Sequence, residues 1–504
     1  MSWNTTEGEV IHLDRAAGVS RGHSSRASGE GPNGKGAASS PRDSMGGKRQ
    51  KNQLQMVLAF AGEGRSEAPT ARREGTETST AKRECESPAI PEQVMEEVCA
   101  RENCLRALYR VKSNKGSPGI DGMKVDELPG YLKQHWPAIR EQLLSGSYEP
   151  QAVRRVEIPK PDGGVRKLGI PTVLDRFIQQ AVMQVLQGGW DGTFSEHSHG
   201  FRPGRSAHQA VKKAQQYVAG GCRWVVDIDL EKFFDRVNHD RLMKSVSLRI
   251  VDKRMLRLIG AYLKAGVMEN GLVSPVDEGT PQGGPLSPLL SNLVLDELDR
   301  ELERRGHRFV RYADDCNIYV RSGGAGRRVM RSVTSFIARR LKLKVNESKS
   351  AVARPAERKF LGFSLSGGKQ PKRRIAPNAL LRCKRKIREL TRRRRGISLE
   401  RMTKELASYL RGWKSYFGFC ETPSVLRTLD QWIRRRLRSV IWLQWKHSRV
   451  RFRQLQQRGV GKALAAQTVG SRHSGWRLAH SPALTIALPI AYFDSLALPH
   501  LFAG

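Results

Sequence analysis

Seven cysteines in 504 residues leave little for covalent or metal stapling. Cys85, Cys99, Cys104, Cys222, Cys316, Cys383 and Cys420 are scattered and include no C-x-x-C pair. That spacing argues against a disulfide framework, a zinc knuckle or a zinc ribbon, and it favours a reducing compartment. Long apolar runs are missing too. The most apolar late stretch, residues 483–493, is too short to span a bilayer and is interrupted by Pro489. No basic segment followed by an apolar one opens the chain, so no signal peptide is read there. These absences lead to the expectation of a soluble cytoplasmic protein with no membrane partner. Acidic residues are scarce, 49 against 88 Lys and Arg, for a formal net charge of +39. No internal repeat is visible, and the length allows two or three domains with cores of their own.

The positive charge is unevenly placed. Residues 1–90 hold 13 Lys/Arg against 11 Asp/Glu, a net of +2, whereas residues 371–460 hold 26 against 5, a net of +21. A basic surface of that density attracts a polyanion, nucleic acid above all, through counterion release; the plainer alternative is a solubilising surface. Residues 1–90 are rich in Gly, Ser, Thr, Glu and Arg, and only QLQMVLAF at 53–60 has anything to bury, so a disordered tail is expected.

Near Pro91 the pattern changes, with Val94, Val98, Cys99, Leu105, Leu108 and Val111 spaced mostly for one helical face. To about residue 365 strand-like runs alternate with helical stretches, while residues 378–455 read as helices only. A mixed α+β body followed by a basic, all-helical domain is therefore predicted. Ser398 is placed to cap a helix with Leu399, Met402, Leu406, Leu410, Trp413 and Phe417 as its stripe. Thr422 and Pro423 are placed to open another, with Leu426, Leu429, Ile433, Leu437 and Val440. Opposite that second stripe, Arg434, Arg435, Arg436 and Arg438 stand beside Trp442 and Trp445, a pattern that suits nucleic acid.

In RYADDCNIYV, residues 311–320, Asp314 and Asp315 separate two strand-like runs and read as the tip of a β-hairpin, which an ordinary solvated turn would also explain. Residues 224–228 are a strand candidate, with Asp227 and Asp229 on one face and Asp229 at the end of the apolar run. Asp229 lies 85 residues before Asp314, so the two acidic sites meet only if strand and hairpin are neighbours in one sheet. Three carboxylates within about 4 Å repel by several kcal/mol at an effective dielectric near 20, which calls for bound cations. Hard oxygen ligands select Mg²⁺, and two such ions serve an in-line displacement at phosphorus.

DLEKFFD (229–235), GTPQGGPLSPLL (279–290) and YADD (312–315), in this order, resemble motifs A, B and C of reverse transcriptases. IPKPDGGVRKLGIPTVLDR (158–176), GFRPGRSAH (200–208), LKLKVNESK (341–349) and FLGF (360–363) are similar to the group II intron reverse transcriptase-maturase family. ASYLRGWKSYFGFCETPSVLRTLDQWIRRRLR (407–438) resembles that family's maturase or X domain, and the resemblance covers about residues 91–504. It implies a right-hand polymerase with fingers and palm, built on an antiparallel sheet, at 91–368. An all-helical basic thumb or X domain would follow at 369–455, and a short DNA-binding segment at 456–504.

The resemblance further implies that Asp229, Asp314 and Asp315 hold two Mg²⁺, with the backbone carbonyl of Leu230 as another ligand. Lys160 and Arg166 would grip the incoming triphosphate, though both also read as solvated hairpin charges. Phe234 would exclude a ribose 2′-OH or simply pack in the core. Gln282, Gly283 and Gly284 would lie along the nascent base pair, and Lys349 would assist the leaving pyrophosphate. Arg202 and Arg205, just ahead of a Ser206 and Gln209 capping box, read equally as template contacts and as helix-start structure.

The expected partners are group II intron RNA, an RNA template with a DNA primer, target DNA and dNTPs. The expected activity is primer extension together with help in splicing. Alternatives are a maturase with an idle polymerase, against which the intact acids speak, and a reverse transcriptase domesticated in defence or repair. The sequence leaves no room, cysteines or histidine cluster for an HNH nuclease before Gly504, so the bacterial, endonuclease-lacking type is expected. QGGWDG (187–192) carries glycines where charges are usual, and His199 replaces a usual tyrosine; both are expected to soften a helix end near the template.

Overall fold

A computed structural model describes residues 93–159, 165–269, 272–274, 279, 283–392 and 395–502. The tail at 1–90, Lys160 and Gln282 lie outside the described residues, as does the side chain of Arg166. The chain begins with helices α1 (Val94–Val98), α2 (Arg101–Asn114) and α3 (Leu128–Ser145), then strands β1 (Val153–Pro159) and β2 (Val165–Ile170). Next come α4 (Val173–Trp190), α5 (Ala207–Ala219), β3 (Trp224–Ile228), α6 (His239–Ser247) and α7 (Lys253–Lys264). Short strands β4 (Val267–Glu269) and β5 (Leu272–Ser274) precede α8 (Ser287–Arg304), β6 (Arg308–Tyr312), β7 (Asp315–Val320) and α9 (Gly323–Phe336). Three short strands follow, β8 (Ala351–Ala353), β9 (Phe363–Leu365) and β10 (Arg373–Ile375). The rest is helical: α10 (Pro377–Leu390), α11 (Leu399–Phe417), α12 (Pro423–Gln444), α13 (Ser448–Gln457), α14 (Lys462–Gly470), α15 (Gly475–Leu478), α16 (Pro482–Ala487) and α17 (Ile490–Ser495).

The mixed α+β reading holds. One four-stranded sheet runs β2-β1-β4-β5, with β1 and β4 parallel, and a second runs β6-β7-β3-β8 with every pair antiparallel. In the second sheet the apolar residues of β3 and β7 face covering helices on both sides, which explains their near-continuous burial. The single helix read from the spacing of residues 94–111 is two, because Ala100 is extended and restarts the chain at Arg101. Each piece then turns its own stripe inward: Val94 and Val98 from α1, Cys104, Leu108 and Val111 from α2.

The two helices read from 3.6-residue spacing are present. Ser398 Oγ accepts from the Arg401 amide and caps α11, whose Met402, Leu406, Leu410, Trp413 and Phe417 are buried. Thr422 does not cap α12: its hydroxyl has no partner among the described residues, and Pro423 opens the helix by its fixed φ alone. The pair β9–β10 straddles the predicted 368/369 boundary, so the purely helical part starts at Pro377. One apolar cluster joins α5, through Phe363, Leu365 and Ile375, to α10, α11 and α12 and on to Leu484, Phe493 and Leu501. Residues 456–502 therefore share the core of the preceding helices. Among the described residues, no helix is long and apolar enough to cross a membrane.

Candidate active site

Strand β3 lies between β7 and β8, and its last registered pair with β7 is Ile228 against Cys316. The next step of that register sets Asp229 against Asp315, the first residue of β7, which itself pairs with Tyr312 of β6. Asp314 occupies the turn between β6 and β7. The turn is tight because Ala313 takes a left-handed φ of 56°, unusual for a residue with a side chain. The strand and the hairpin that the sequence required to be neighbours are neighbours.

A loop from the 345–350 region holds Asp229 from its other side. The Asp229 amide donates to Ser350 Oγ at 3.0 Å, and the Asp229 carbonyl accepts from the Asn346 amide at 2.8 Å. Lys349 of the same loop sets its ammonium 3.7 Å from Asp229 Oδ2, so this predicted residue does reach the acids. Leu230 is buried and bridges to Val345. Asp227, on the same face as Asp229, is paired with Arg358 at 2.5 Å. Burial pushes the Asp227 carboxyl above the usual carboxylate range, against the pull of that guanidinium.

Among the described residues, no three His, Cys, Asp or Glu side chains close round one point as a ready metal cage. The donors offered by Asp229, Asp314, Asp315 and the Leu230 carbonyl are all hard oxygens, the right chemistry for Mg²⁺.

Around the acids the other predicted residues divide. Phe234 sits in a 3₁₀ turn, Phe233–Asp235, half-buried and edge-on to the buried Phe233 at 5.2 Å. The core role belongs to Phe233. Gly279 backs directly on this turn, since a Cβ there would stand 2.8 Å from the Phe234 carbonyl oxygen. Gly283 has φ 132°, and its Cβ would meet the Gly169 carbonyl oxygen at 2.6 Å, so this glycine is required by the approach of β2.

Two sets of arginines need correction. Arg202 turns inward. Its side chain is 4% exposed, its Nε donates to Asp191 Oδ1 at 2.9 Å, and its other nitrogens go to the carbonyls of Ser195, Ser198 and Asp191. It locks the end of α4, which runs through Gly188 to the buried Trp190. Arg205 stays half-exposed and donates to the Glu196 carbonyl, and the predicted Ser206–Gln209 capping box forms. Arg202 thus serves neither the start of α5 nor an exposed contact; it holds the turn between α4 and residue 198.

Arg434, Arg435, Arg436 and Arg438 are all half-buried and tie α12 to its neighbours. Arg434 bonds His500 Nδ1 at 2.8 Å, Arg435 lies over Trp476 at 4.3 Å, Arg436 bonds Thr391, and Arg438 donates to the Leu488 carbonyl at 3.0 Å. The cations that stack on Trp442 and Trp445 are Arg451 and Arg458 instead.

What sequence reasoning missed lies beneath the acids: Arg311, Asp299 and Asn292. Their signal was present, because Asn292, Asp296 and Asp299 put polar groups at 4- and 3-residue spacing on the buried face of α8.

Residues 158–365 match the family described as reverse transcriptase (RNA-dependent DNA polymerase), and residues 380–459 match the group II intron, maturase-specific domain. Protein YkfC of Escherichia coli K12 is 43% identical over 199 residues, 38% of this chain and 52% of that protein. The group II intron-encoded protein LtrA of Lactococcus lactis is 42% identical over 195 residues, 38% of this chain and 32% of its own. The putative COX1/OXI3 intron 1 protein of Saccharomyces cerevisiae is 33% identical over 198 residues, 39% of this chain and 24% of its own. The matches thus span about half the length of the first relative and less of the others. The chain thus carries a reverse transcriptase domain followed by a group II intron maturase-specific domain, and it is similar to group II intron-encoded proteins over about two fifths of its length.

Proposed function

We propose that this protein is an RNA-directed DNA polymerase that extends a primer 3′-OH with dNTPs, and a maturase that binds its intron RNA. The observation that carries the reading is the strand order, which sets Asp229, just past the end of β3, beside Asp314 and Asp315 at the head of the adjacent β7. In this reading the antiparallel sheet is the palm of a right-hand polymerase, the β1–β2 pair belongs to the fingers, and α10–α12 form the thumb or X domain. Two bound Mg²⁺ would activate the primer hydroxyl and steady the departing phosphate oxygen. The chain's own part is to place hard oxygens from Asp229, Asp314, Asp315 and Leu230 where phosphates arrive. Lys349 offsets carboxylate repulsion while substrate is absent and is positioned to meet the negative charge of the leaving pyrophosphate. Phe234, half-buried on its 3₁₀ turn, presents bulk to the sugar. Lys160, Arg166, Gln282 and Gly283 are assigned to the incoming nucleotide on their motif positions. Template RNA, DNA primer and intron RNA would be held by the positive surface of residues 371–460.

The test is Asp314→Asn in primer extension on poly(rA)/oligo(dT). Extension should fall by about 10³-fold or more, because removing a ligand misplaces the ion, while RNA affinity stays within about twofold. Wild-type extension by the variant would overturn the polymerase reading and leave a maturase alone.

A further inference from the structure

We infer that Arg311, Asp299 and Asn292 are positioning residues that fix the backbone at Ala313 and thereby aim Asp314 and Asp315. The inference rests on the polymerase reading of those acids.

Ala313 precedes the paired acids in a left-handed conformation, φ 56°, which an L residue keeps only when its surroundings over-determine it. The surroundings do. Arg311 sits on β6, two residues before Ala313, and its side chain turns under the hairpin, 0% exposed, as is that of Asp299. Its Nε donates to Asp299 Oδ1 at 2.7 Å and its Nη2 to Asp299 Oδ2 at 2.5 Å, a bidentate pair from α8. The remaining nitrogen, Nη1, donates to Asn292 Oδ1 at 3.0 Å and to the Ala313 carbonyl at 2.9 Å. An ion pair serving only to neutralise buried charge would end at Asp299. This one reaches on to the strained residue of the turn.

A second hold comes from residues 197–200, which lead into GFRPG. Asn292 Nδ2 donates to the Gly200 carbonyl at 2.9 Å, and a Cβ on Gly200 would run into the Ala313 amide nitrogen. The same segment is bolted to β6 at Arg311 itself. The Arg311 amide donates to the His197 carbonyl, and the His199 amide donates to the Arg311 carbonyl, each at 2.9 Å. Three separate stretches of sequence, α8, residues 197–200 and β6, thus close on one residue, Ala313, from both of its peptide groups. The direction of Asp314 and the start of β7 at Asp315 follow from that residue, since no flexible link intervenes.

The decisive variant replaces both buried charges together, Arg311→Met with Asp299→Leu, in the full chain. Exchange of a whole buried ion pair for apolar residues of like volume is often neutral to folding, whereas removal of one partner is not. The double variant leaves Asn292 Oδ1 and the Ala313 carbonyl without the Arg311 donor, so it should melt below the wild type, yet still unfold cooperatively and bind template-primer as the wild type does. Its kcat on poly(rA)/oligo(dT) should drop at least about tenfold, and by up to about 10²-fold, as for a roughly 1 Å misplacement. The KM for dTTP should move less than about threefold, the pattern of a lost transition-state alignment. A purely structural pair would leave kcat at the wild-type value, and a folded double variant with that kcat overturns the inference. If the double variant does not fold, Asn292→Ala carries the test with the ion pair intact, with the same split expected and unchanged kcat overturning it. Asp314→Asn, assayed alongside, separates the two failures. Activity in Asp314→Asn sinks the polymerase reading, whereas its inactivity with wild-type kcat in the network variants sinks only the positioning role.

Discussion

His199 is 5% exposed, and neither of its ring nitrogens has a hydrogen-bond partner among the described residues. Burial, then the nearby Arg205 and Arg202 with smaller contributions from His197 and Lys213, pushes its pKa down to about 4 from an ordinary 6.5. A depressed histidine pKa means that the unfolded chain binds the proton first. Stability therefore falls as pH drops through 6.5 and levels off below the folded value. Between pH 7 and pH 5 this one group costs about 2 kcal/mol. His199→Phe should lose about that much less than the wild type when urea unfolding is compared at the two pH values, and equal losses would show that the ring is solvated. At this scale the three acids were legible, because their residue type, spacing and flanking strands all point one way. Arg202 was not. Nothing in GFRPG tells whether its guanidinium faces a template or the Asp191 carboxylate and three carbonyls that take it here.

Helix α12 shows what periodicity can and cannot reveal. Its apolar stripe, Leu426, Leu429, Ile433, Leu437 and Val440, is buried as the 3- and 4-residue spacing predicted. The fate of its polar residues depends on α15, α16 and α17, which lie later in the chain and whose packing no local pattern encodes. Asp430 accepts from the Leu501 amide at 3.0 Å and the Phe502 amide at 3.1 Å, and Arg434 reaches His500, whose other ring nitrogen meets Asp494 at 2.7 Å. Asp430→Ala would leave those buried amides without an acceptor, at a cost of about 1–3 kcal/mol. Amide hydrogen exchange should then accelerate over residues 490–502 while α11 keeps its protection. Uniform exchange across both regions would mean that Asp430 does not latch the segment. Strands β3, β6 and β7 were readable from composition and length. The three-residue strands β4, β5 and β8 were not, because such short pieces are fixed by the sheet they join rather than by their own propensity.

Across the whole molecule, the steep rise in charge at residue 371 marks a change of secondary structure and surface, not a break in the core. A single apolar cluster runs from α5 to Leu501, past both the 368/369 and 455/456 boundaries that the resemblance implied. Charge alone therefore cannot say which arginines meet nucleic acid; burial decides. The four arginines of α12 are half-buried and occupied with α10, α15, α16 and the C-terminal residues, whereas Lys372 just before β10, Arg374 on it, Arg385 on α10 and Arg392 just after α10 are exposed. Each phosphate contact adds about 0.7 to 0.9 to the slope of log affinity against log salt. Neutralising the exposed four to Gln should flatten that slope by up to about three units in filter binding to structured RNA titrated with KCl, with the melting temperature unchanged. Neutralising Arg434, Arg435, Arg436 and Arg438 should do the reverse, lowering the melting temperature by undocking the C-terminal helices and moving the slope less. If the α12 set flattens the slope more than the exposed set does, nucleic acid reaches a face that these contacts otherwise close. The docked C-terminal helices would then have to part from α12 whenever RNA binds.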